Sequence, residues 1–378
     1  MISVSNRLYY LDALRSFAIL YGILLHVLTL GVPSGLRWIH VSSGYFRMSL
    51  FFLVSGFFAS MMLKRYTTQT FLRRRSVALL VPLVTGLILL NPITNWLVAT
   101  YHNGPVPFST AIFATGGEDA LKGPAVWHLH LWFLITLFFF VATAPMITVV
   151  GRNFSTIGHW IASRLAILPP TIVILIIAFA IAISSTVLRA GYSIAMAPLL
   201  RDTPLSWIGQ TTMYYWPFYV MGMIFFTFPT VAERFQSVSV PALIVGIILA
   251  ALAPKIFNSG VMGDIVRVIS KSFCTTTVVA ILMAVFRRFL NRPTFLSETS
   301  EYVYSIYIMH FLVIYVIAFS IRPLNLDSHT TFITVAAVTY LIVFTLHRYV
   351  IKPTPILEFF LNGKPMTVSS KSVTARSR

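Results

Sequence analysis

The sequence predicts an all-α polytopic membrane protein, a bundle of about ten membrane-spanning helices with both termini in the cytoplasm. Of its 378 residues, 57% are hydrophobic and only 10% are charged, whereas soluble domains average about 25% charged residues. The apolar residues gather in runs of about 20, the length that an α-helix needs to cross the hydrocarbon core. The net charge of +18 lies in short segments between those runs. This pattern indicates membrane topology, so nucleic acid is not expected as a partner.

Ten apolar stretches are candidates for membrane spans. They cover residues 9–30, 45–63, 77–99, 131–150, 166–188, 212–228, 240–256, 264–286, 302–320 and 331–350. The sixth and seventh are short and have prolines beside them. The ten stretches belong to one predicted transmembrane domain, residues 1–360, which is followed by a basic cytoplasmic tail, residues 361–378, able to touch anionic lipid.

The distribution of Lys and Arg orients the predicted bundle. If the N-terminus is inside, 18 basic residues fall in the inner segments and seven in the outer loops. Cytoplasmic loops carry the excess of Lys and Arg, so this orientation is the expected one. An even number of helices then returns the C-terminus to the cytoplasm. The longest outer segment, residues 101–130, is rich in Gly and Pro, which is typical of a lid or a binding loop.

Ionisable residues within a membrane span are costly and therefore mark candidate functional sites. The first helix carries Asp12, Arg15 and His26 along one face. Asp12 and Arg15 are close enough to pair near the cytoplasmic end, while His26 lies about 21 Å further along the axis. Each feature also has a purely structural alternative. Asp12 and Arg15 could form an ion pair that holds a neighbouring helix, and His26 could form a hydrogen bond between helices.

Two further residues point to the same region. His310 lies near the middle of the ninth span, where a neutral imidazole suits either proton transfer near pH 7 or a hydrogen bond between helices. Arg47 is placed at the outer start of the second helix, antiparallel to the first. There it either approaches His26 or serves as an interfacial anchor.

Three consecutive arginines, Arg73, Arg74 and Arg75, precede the third span on the inner side. They favour an anionic ligand, because guanidinium groups match phosphate oxygens, but they also serve the topology signal. No Walker or dinucleotide fingerprint occurs. His128 and His130 have a spacing of two residues but no visible third ligand, so no metal is expected.

Short motifs along nearly the whole chain resemble the membrane acyltransferase 3 superfamily. They are LDALR at residues 11–15 with His26 after it, FFLVSGF at 51–57, the arginines before Pro82, HLWFL at 130–134 and YIMH at 307–310. Others resemble the glucans biosynthesis protein C family within it, namely FRMSLFF at 46–52, PFYVMG at 217–222 and LNGKP at 361–365. Their order and spacing make the resemblance more specific than any single motif.

The resemblance implies an enzyme of the bacterial inner membrane that moves an acyl group from a coenzyme A thioester to a sugar hydroxyl. In the glucan family the expected reaction is succinyl transfer to osmoregulated periplasmic glucans. The family histidines map onto His26 and His310. The family often has an Arg-x-x-Arg pattern entering the third helix. Here the residue three positions after Arg75 is Ala78 instead of the second arginine, so Arg73 or Arg74 would replace it.

These inferences assign roles to the candidate residues. His26 is expected to act as general base or acyl relay, with His310 beside it and with Arg47 stabilising an oxyanion or a succinyl carboxylate. Asp12 orders the inner half of the helix face. Arg15, Arg73, Arg74 and Arg75 would hold the donor phosphates.

No permanently bound cofactor is expected; acyl-CoA, either succinyl-CoA or acetyl-CoA, is the donor substrate. Expected partners are membrane lipid, a glucan or other sugar acceptor, and other glucan-synthesis proteins. Three alternatives stay open. The first is acetyl transfer to another polysaccharide, to lipopolysaccharide or to a secondary metabolite, and the second is secondary transport of an anionic or sugar substrate. The third is a structural membrane scaffold, against which the polar face of the first helix argues. The transporter class predicts an inverted repeat, and no repeat is evident in the sequence.

Overall fold

A computed structural model describes residues 7–114, 121–200, 203–237, 240–256 and 259–365. Helices dominate these residues, and no β-strand occurs among them. They are α1 (Tyr9–Val27), α2 (Arg37–Arg65), α3 (Thr68–Thr85), α4 (Asn91–Asn103), α5 (Phe108–Ile112), α6 (Trp132–Asn153), α7 (Ser155–Ile167), α8 (Pro170–Ala195), α9 (Pro204–Thr227), α10 (Pro229–Gln236), α11 (Val240–Ile256), α12 (Gly260–Phe289), α13 (Phe295–Thr299), α14 (Val303–Ile321), α15 (Ser328–Leu346) and α16 (Pro355–Asn362).

The prediction of a polytopic helical membrane protein is confirmed. Within the described ranges, eight helices are long and apolar enough to cross a membrane. They correspond to all the predicted spans except the sixth and seventh. The sixth falls within α9 and the seventh coincides with α11. α9 carries a polar first half, and α11 is only 17 residues long. The placement of both termini in the cytoplasm stays a prediction.

α1 lies at the centre of the bundle, where it packs against α2, α12, α14 and α15. Among the described helices, α2 and α9 pack against each other most extensively. A Cβ on Gly56 would collide with the Tyr219 carbonyl, and a Cβ on Gly222 would collide with the Leu53 carbonyl. Small residues allow two membrane helices to approach this closely. The pairing fixes α2, and with it Arg47, against the central helix.

α3 and α4 form one continuous rod, because a π-helical segment at Gly86–Leu90 joins them without a break. The helix begins at Thr68, after Thr67 accepts a hydrogen bond from the Thr70 N–H. The prediction that Arg73, Arg74 and Arg75 precede the third helix is therefore wrong, because all three lie within α3. A Thr N-cap starts the helix well before the apolar run on which the prediction rested.

The structure describes only parts of the predicted outer loop, residues 101–130, and of the predicted C-terminal tail, residues 361–378. Residues 115–120 lie outside the described ranges, while Asn103 holds Lys122 through two hydrogen bonds of 2.9 and 3.1 Å. Residues 366–378 of the predicted tail also lie outside them. α16 runs across the domain boundary predicted at residue 360 and ends at Asn362, which is buried.

Candidate active site

Three histidine rings meet inside the bundle; His26, His130 and His310 are called the histidine cluster below. The ring centroids of His26 and His310 are 5.2 Å apart, those of His130 and His310 4.9 Å, and those of His26 and His130 5.8 Å. They come from α1, from the turn before α6 and from α14. Phe311 packs against His26 and stacks on His130. The two predicted histidines therefore touch, and a third joins them.

The backbone fixes the tautomers of two of these rings. His130 Nε2 lies 2.8 Å from the Tyr307 carbonyl, and His310 Nδ1 lies 3.2 Å from the Ile306 carbonyl. A carbonyl only accepts, so both of these nitrogens donate. The opposite nitrogens, His130 Nδ1 and His310 Nε2, are buried without a described partner. Each neutral ring therefore presents one free lone pair.

His26 differs from its two neighbours in its access. His130 is 5% exposed and His310 is 1% exposed, whereas the His26 side chain is only half-buried. Among the described residues, no hydrogen bond to its ring occurs. Of the three rings, His26 therefore has the most accessible surface, and it contacts both buried rings.

Arg47 supplies positive charge beside the cluster. A Cβ on Gly22, one turn before His26, would collide with the guanidinium of Arg47, so the absent side chain makes room for it. Arg47 interacts electrostatically with all three histidines and with Tyr307. Its Nε is buried with no described partner. α2 begins at Arg37, so the prediction that Arg47 starts the helix is wrong. Of the two alternatives left open for this residue, the structure shows the approach to His26.

A second polar site, called the arginine cleft, lies towards the other end of α1. The cleft is narrow, with a cavity volume of about 10 Å³, and it is lined by Arg15, Ser55, Phe58, Arg75, Leu79, Leu137, Val141 and Tyr304. The Nε atoms of Arg15 and Arg75 are buried without a described partner. None of the described residues that line the cleft is acidic. Two uncompensated guanidinium groups in a partly apolar cleft favour an anionic ligand.

The three consecutive arginines do not act as one group. Arg75 lines the cleft, whereas Arg73 and Arg74 are exposed on α3. The Arg74 guanidinium lies 4.4 Å from the centroid of the Tyr66 ring. Successive residues on an α-helix point in directions about 100° apart, so three neighbours cannot face one cleft.

Asp12 takes a different partner from the one predicted. Its carboxylate accepts a 2.8 Å hydrogen bond from Arg7 Nε, and Arg7 also reaches Glu301 at 3.5 Å. The hydrogen bond with Asp12 raises the pKa of the Arg7 guanidinium. Arg15 instead lies over the rings of Phe51 and Phe58. The predicted Asp12–Arg15 pair is therefore wrong. The Asp12 carboxylate pairs with Arg7, in the segment before α1, and the Arg15 guanidinium packs against aromatic rings of α2.

A chain of hydrogen bonds joins the far end of α4 to α1. His102 Nε2 lies 3.0 Å from the Tyr315 hydroxyl, which lies 3.0 Å from Thr29 Oγ1. Thr29 donates to the His26 carbonyl at 2.6 Å. The chain reaches the backbone of His26 rather than its ring, so it supports the position of that residue.

Sequence reasoning missed the part played by His130 and Tyr307. The Tyr307 hydroxyl donates to the His130 carbonyl, and the Tyr307 carbonyl accepts from the His130 ring. The signal lay in the histidine pair before α6: a short turn at Leu129–Leu131, with Leu129 at φ +44°, directs His130 into the bundle. The His128 ring instead stacks near Trp207. In the described part of the chain, no three His, Cys, Asp or Glu side chains are placed to hold a metal ion.

Helices long and apolar enough to cross a membrane, with a histidine cluster at one depth and an arginine-lined cleft at another, describe an integral membrane protein with two candidate functional sites. Residues 8–348 match the family described as the acyltransferase domain, so the chain belongs to this family and is an acyltransferase. It is 24% identical to the glucans biosynthesis protein C of Escherichia coli O157:H7 strain EC4115, with 96% of each chain covered. The protein of that name from E. coli K12 strain DH10B gives the same identity and coverage. No solved structure matches the chain. The apolar helices and this homology make it a multi-pass protein of the bacterial inner membrane.

Proposed function

We propose that the protein transfers an acyl group, succinyl in preference to acetyl, from a cytoplasmic acyl-CoA to a hydroxyl of a periplasmic glucan. The observation that carries the proposal is the contact between His26 and the buried pair His130 and His310, with Arg47 beside them. A hydroxyl needs a base to become a nucleophile, and an oxyanion needs positive charge. The printed name of the relatives supports a glucan as acceptor.

The arginine cleft is the proposed donor site. Coenzyme A carries phosphates, and Arg15 and Arg75 offer guanidinium groups whose Nε atoms have no described partner. The charge bias of the sequence places this end of α1 at the cytoplasm, where acyl-CoA is made. Arg73 and Arg74 lie exposed on the same helix and add attraction for an anion. Asp12 and Arg7 hold the start of α1 in place below the cleft.

The chemistry can follow two routes through the same residue. In the direct route, His26 takes the proton of the acceptor hydroxyl while its oxygen attacks the thioester carbonyl. The C–S bond then breaks, and the thiolate receives a proton. In the relay route, a His26 nitrogen first attacks the thioester carbonyl, the C–S bond breaks, and the thiolate takes the ring proton of His26. The hydroxyl oxygen then attacks the acyl-imidazole, the C–N bond breaks as the ester forms, and the released imidazole regains its proton from the hydroxyl. His310 Nε2 has no described hydrogen-bond partner, so its lone pair can accept the hydroxyl proton in that second step before His26 regains it. Arg47 stabilises the oxyanion in both routes.

The test uses the purified full-length protein with radiolabelled succinyl-CoA and a glucan acceptor. We expect transfer by the natural protein, weaker transfer from acetyl-CoA, and a loss of at least about 100-fold in His26→Gln, the size of a general-base contribution. His159→Gln is the matched control, because His159 is an exposed histidine of α7. Full activity in His26→Gln would overturn the mechanism, and label that stays on the natural protein after gel filtration without acceptor would select the relay route.

A further inference from the structure

The end of the C-terminal helix is inserted between two helices that line the arginine cleft. Asn362 is 4% exposed, and its Oδ1 accepts a 2.9 Å hydrogen bond from the backbone N–H of Ser305 in α14. Gly363 follows with φ +62°, and a Cβ there would collide with the backbone of Ala78 in α3. These two residues touch α14 on one side and α3 on the other. They lie beyond residues 8–348, the part of the chain that matches the family.

The hydrogen bond from Ser305 serves a helix end. α14 begins at Val303, and no side chain caps it from its own N-cap residue, Tyr302. The first N–H groups of a helix have no partner within that helix. Ser305 is the third residue of α14, so the Asn362 oxygen acts as the missing cap, supplied from another segment.

A second set of contacts holds the start of α14. Ser305 Oγ lies 2.9 Å from His347 Nδ1, and Tyr302 stacks on the His347 ring with centroids 4.1 Å apart. His347 belongs to the π-helical segment that ends α15. The start of α14 is thus tied to α15 and α16 together, and its position depends on both.

Both contacts lie next to the cleft. Tyr304 precedes Ser305 and lines the cleft, and Arg75 lies one turn before Ala78 and lines its other wall. A shift of α14 away from α3 would widen the gap between Tyr304 and Arg75. α14 also carries Tyr307 and His310 towards the histidine cluster.

We infer that Asn362 and Gly363 are positioning residues that set the width of the donor cleft. The inference rests on the proposed function, since it assigns the cleft to the acyl donor. Removal of the Asn362 oxygen leaves the Ser305 N–H without its cap and loosens α14 at Tyr304. The donor then binds more weakly, while the histidine cluster keeps its geometry, because its rings contact one another and two hydrogen bonds hold His130 to Tyr307.

The test compares Asn362→Leu with Asn362→Asp in the purified full-length protein, with succinyl-CoA as the donor probe. Leu keeps the approximate shape and removes the acceptor oxygen. Asp keeps an acceptor oxygen, and its negative charge suits a helix N-terminus. We expect Asn362→Leu to raise the KM for succinyl-CoA about five- to tenfold, the factor that the loss of one cap gives. The kcat and the KM for glucan should stay within about twofold, and Asn362→Asp should restore the donor KM.

Lys364→Ala is the matched control, because it removes only the contact between Lys364 and Glu358 in the same segment, and its donor KM should be unchanged. A normal donor KM in Asn362→Leu, or equal changes in Leu and Asp variants, would overturn the inference. If Asn362→Leu is not recovered folded, the pair Asn362→Ala and Asn362→Asp is judged by the same criterion. A natural protein that does not use succinyl-CoA would refute the proposed function itself, and this inference with it.

Discussion

At the scale of single residues, two backbone carbonyls decide which nitrogens of the histidine cluster can act as bases. The Tyr307 carbonyl holds the proton on His130 Nε2, and the Ile306 carbonyl holds it on His310 Nδ1. The free nitrogens of the two rings are therefore different atoms, Nδ1 in one and Nε2 in the other. A glutamine amide can donate the hydrogen bond of a ring N–H, but it is not a base. Substitution of a histidine by Gln therefore removes its basic nitrogen and can keep its hydrogen bond to the backbone.

The first prediction concerns His130, to which the sequence assigned no role, although the family-like motif HLWFL begins at this residue. We expect His130→Gln to lower kcat by about 100-fold, because it removes a buried base beside His26 and His310. The measurement is succinyl transfer by purified protein. His128→Gln is the matched control, two residues away and outside the cluster, and should keep its activity. Equal losses in the two variants would contradict a specific role for His130.

The second prediction uses the space that Gly22 leaves for Arg47. In Gly22→Ala the new Cβ displaces the end of the flexible Arg47 side chain and leaves the backbone in place. We expect kcat to fall about tenfold through a misplaced charge. The free energy of unfolding should not fall, because Ala is favoured over Gly in a helix by about 0.5–1 kcal/mol. Thermal unfolding and transfer assays on the same preparation check both statements.

The control for Gly22→Ala is Gly44→Ala, since Gly44 lies in α2 near Arg47 and a Cβ there meets open space. It should gain the same helix stability and keep full activity. A drop in the unfolding temperature of Gly22→Ala in step with its activity would mean that packing, rather than the position of Arg47, explains the loss.

At the scale of helices, the contact between α2 and α9 determines where Arg47 stands. Gly56 and Gly222 each face a carbonyl of the partner helix, and backbone, unlike a side-chain end, cannot move aside. The sequence motifs around these glycines drew attention through resemblance, but an isolated Gly in an apolar run does not reveal which helix it faces. A similar limit applies to α3. Its N-cap, Thr67, starts the helix well before the apolar run, so a search for apolar windows places the start of the helix too late.

The third prediction follows from that contact. Gly222→Ala should destabilise the protein by about 1–3 kcal/mol, the cost of forcing an extra methyl into a packed contact. The measurement is the thermal unfolding midpoint in detergent. Gly191→Ala in α8, where a Cβ meets nothing, is the control and should unfold at the natural temperature or above it. An unchanged midpoint in Gly222→Ala would show that the two helices do not pack this closely.

At the scale of the whole molecule, the sequence predicted the helices well and their contacts poorly. All ten apolar stretches correspond to helices, because helix length and apolarity are local properties. Contacts are not local: Asp12 meets Arg7 rather than Arg15, and His130 meets His26 across a separation of more than one hundred residues. Ionisable residues in apolar spans did mark His26, His310 and Arg47 as candidates. Their partners His130 and Tyr307 required the folded bundle.

The last prediction concerns orientation, on which the proposed path from donor to acceptor depends. Two sites on opposite ends of α2, Ser34 before it and Gln69 after it, are exposed, and the positive-inside rule places them in the periplasm and the cytoplasm, respectively. In a Cys274→Ala background, we expect Ser34→Cys to react with a membrane-impermeant thiol reagent in intact spheroplasts. Gln69→Cys should react only after the membrane is opened. The reverse pattern would place the arginine cleft away from cytoplasmic acyl-CoA and would exclude the proposed donor, because the guanidinium groups of Arg15 and Arg75 would then face the compartment that lacks it.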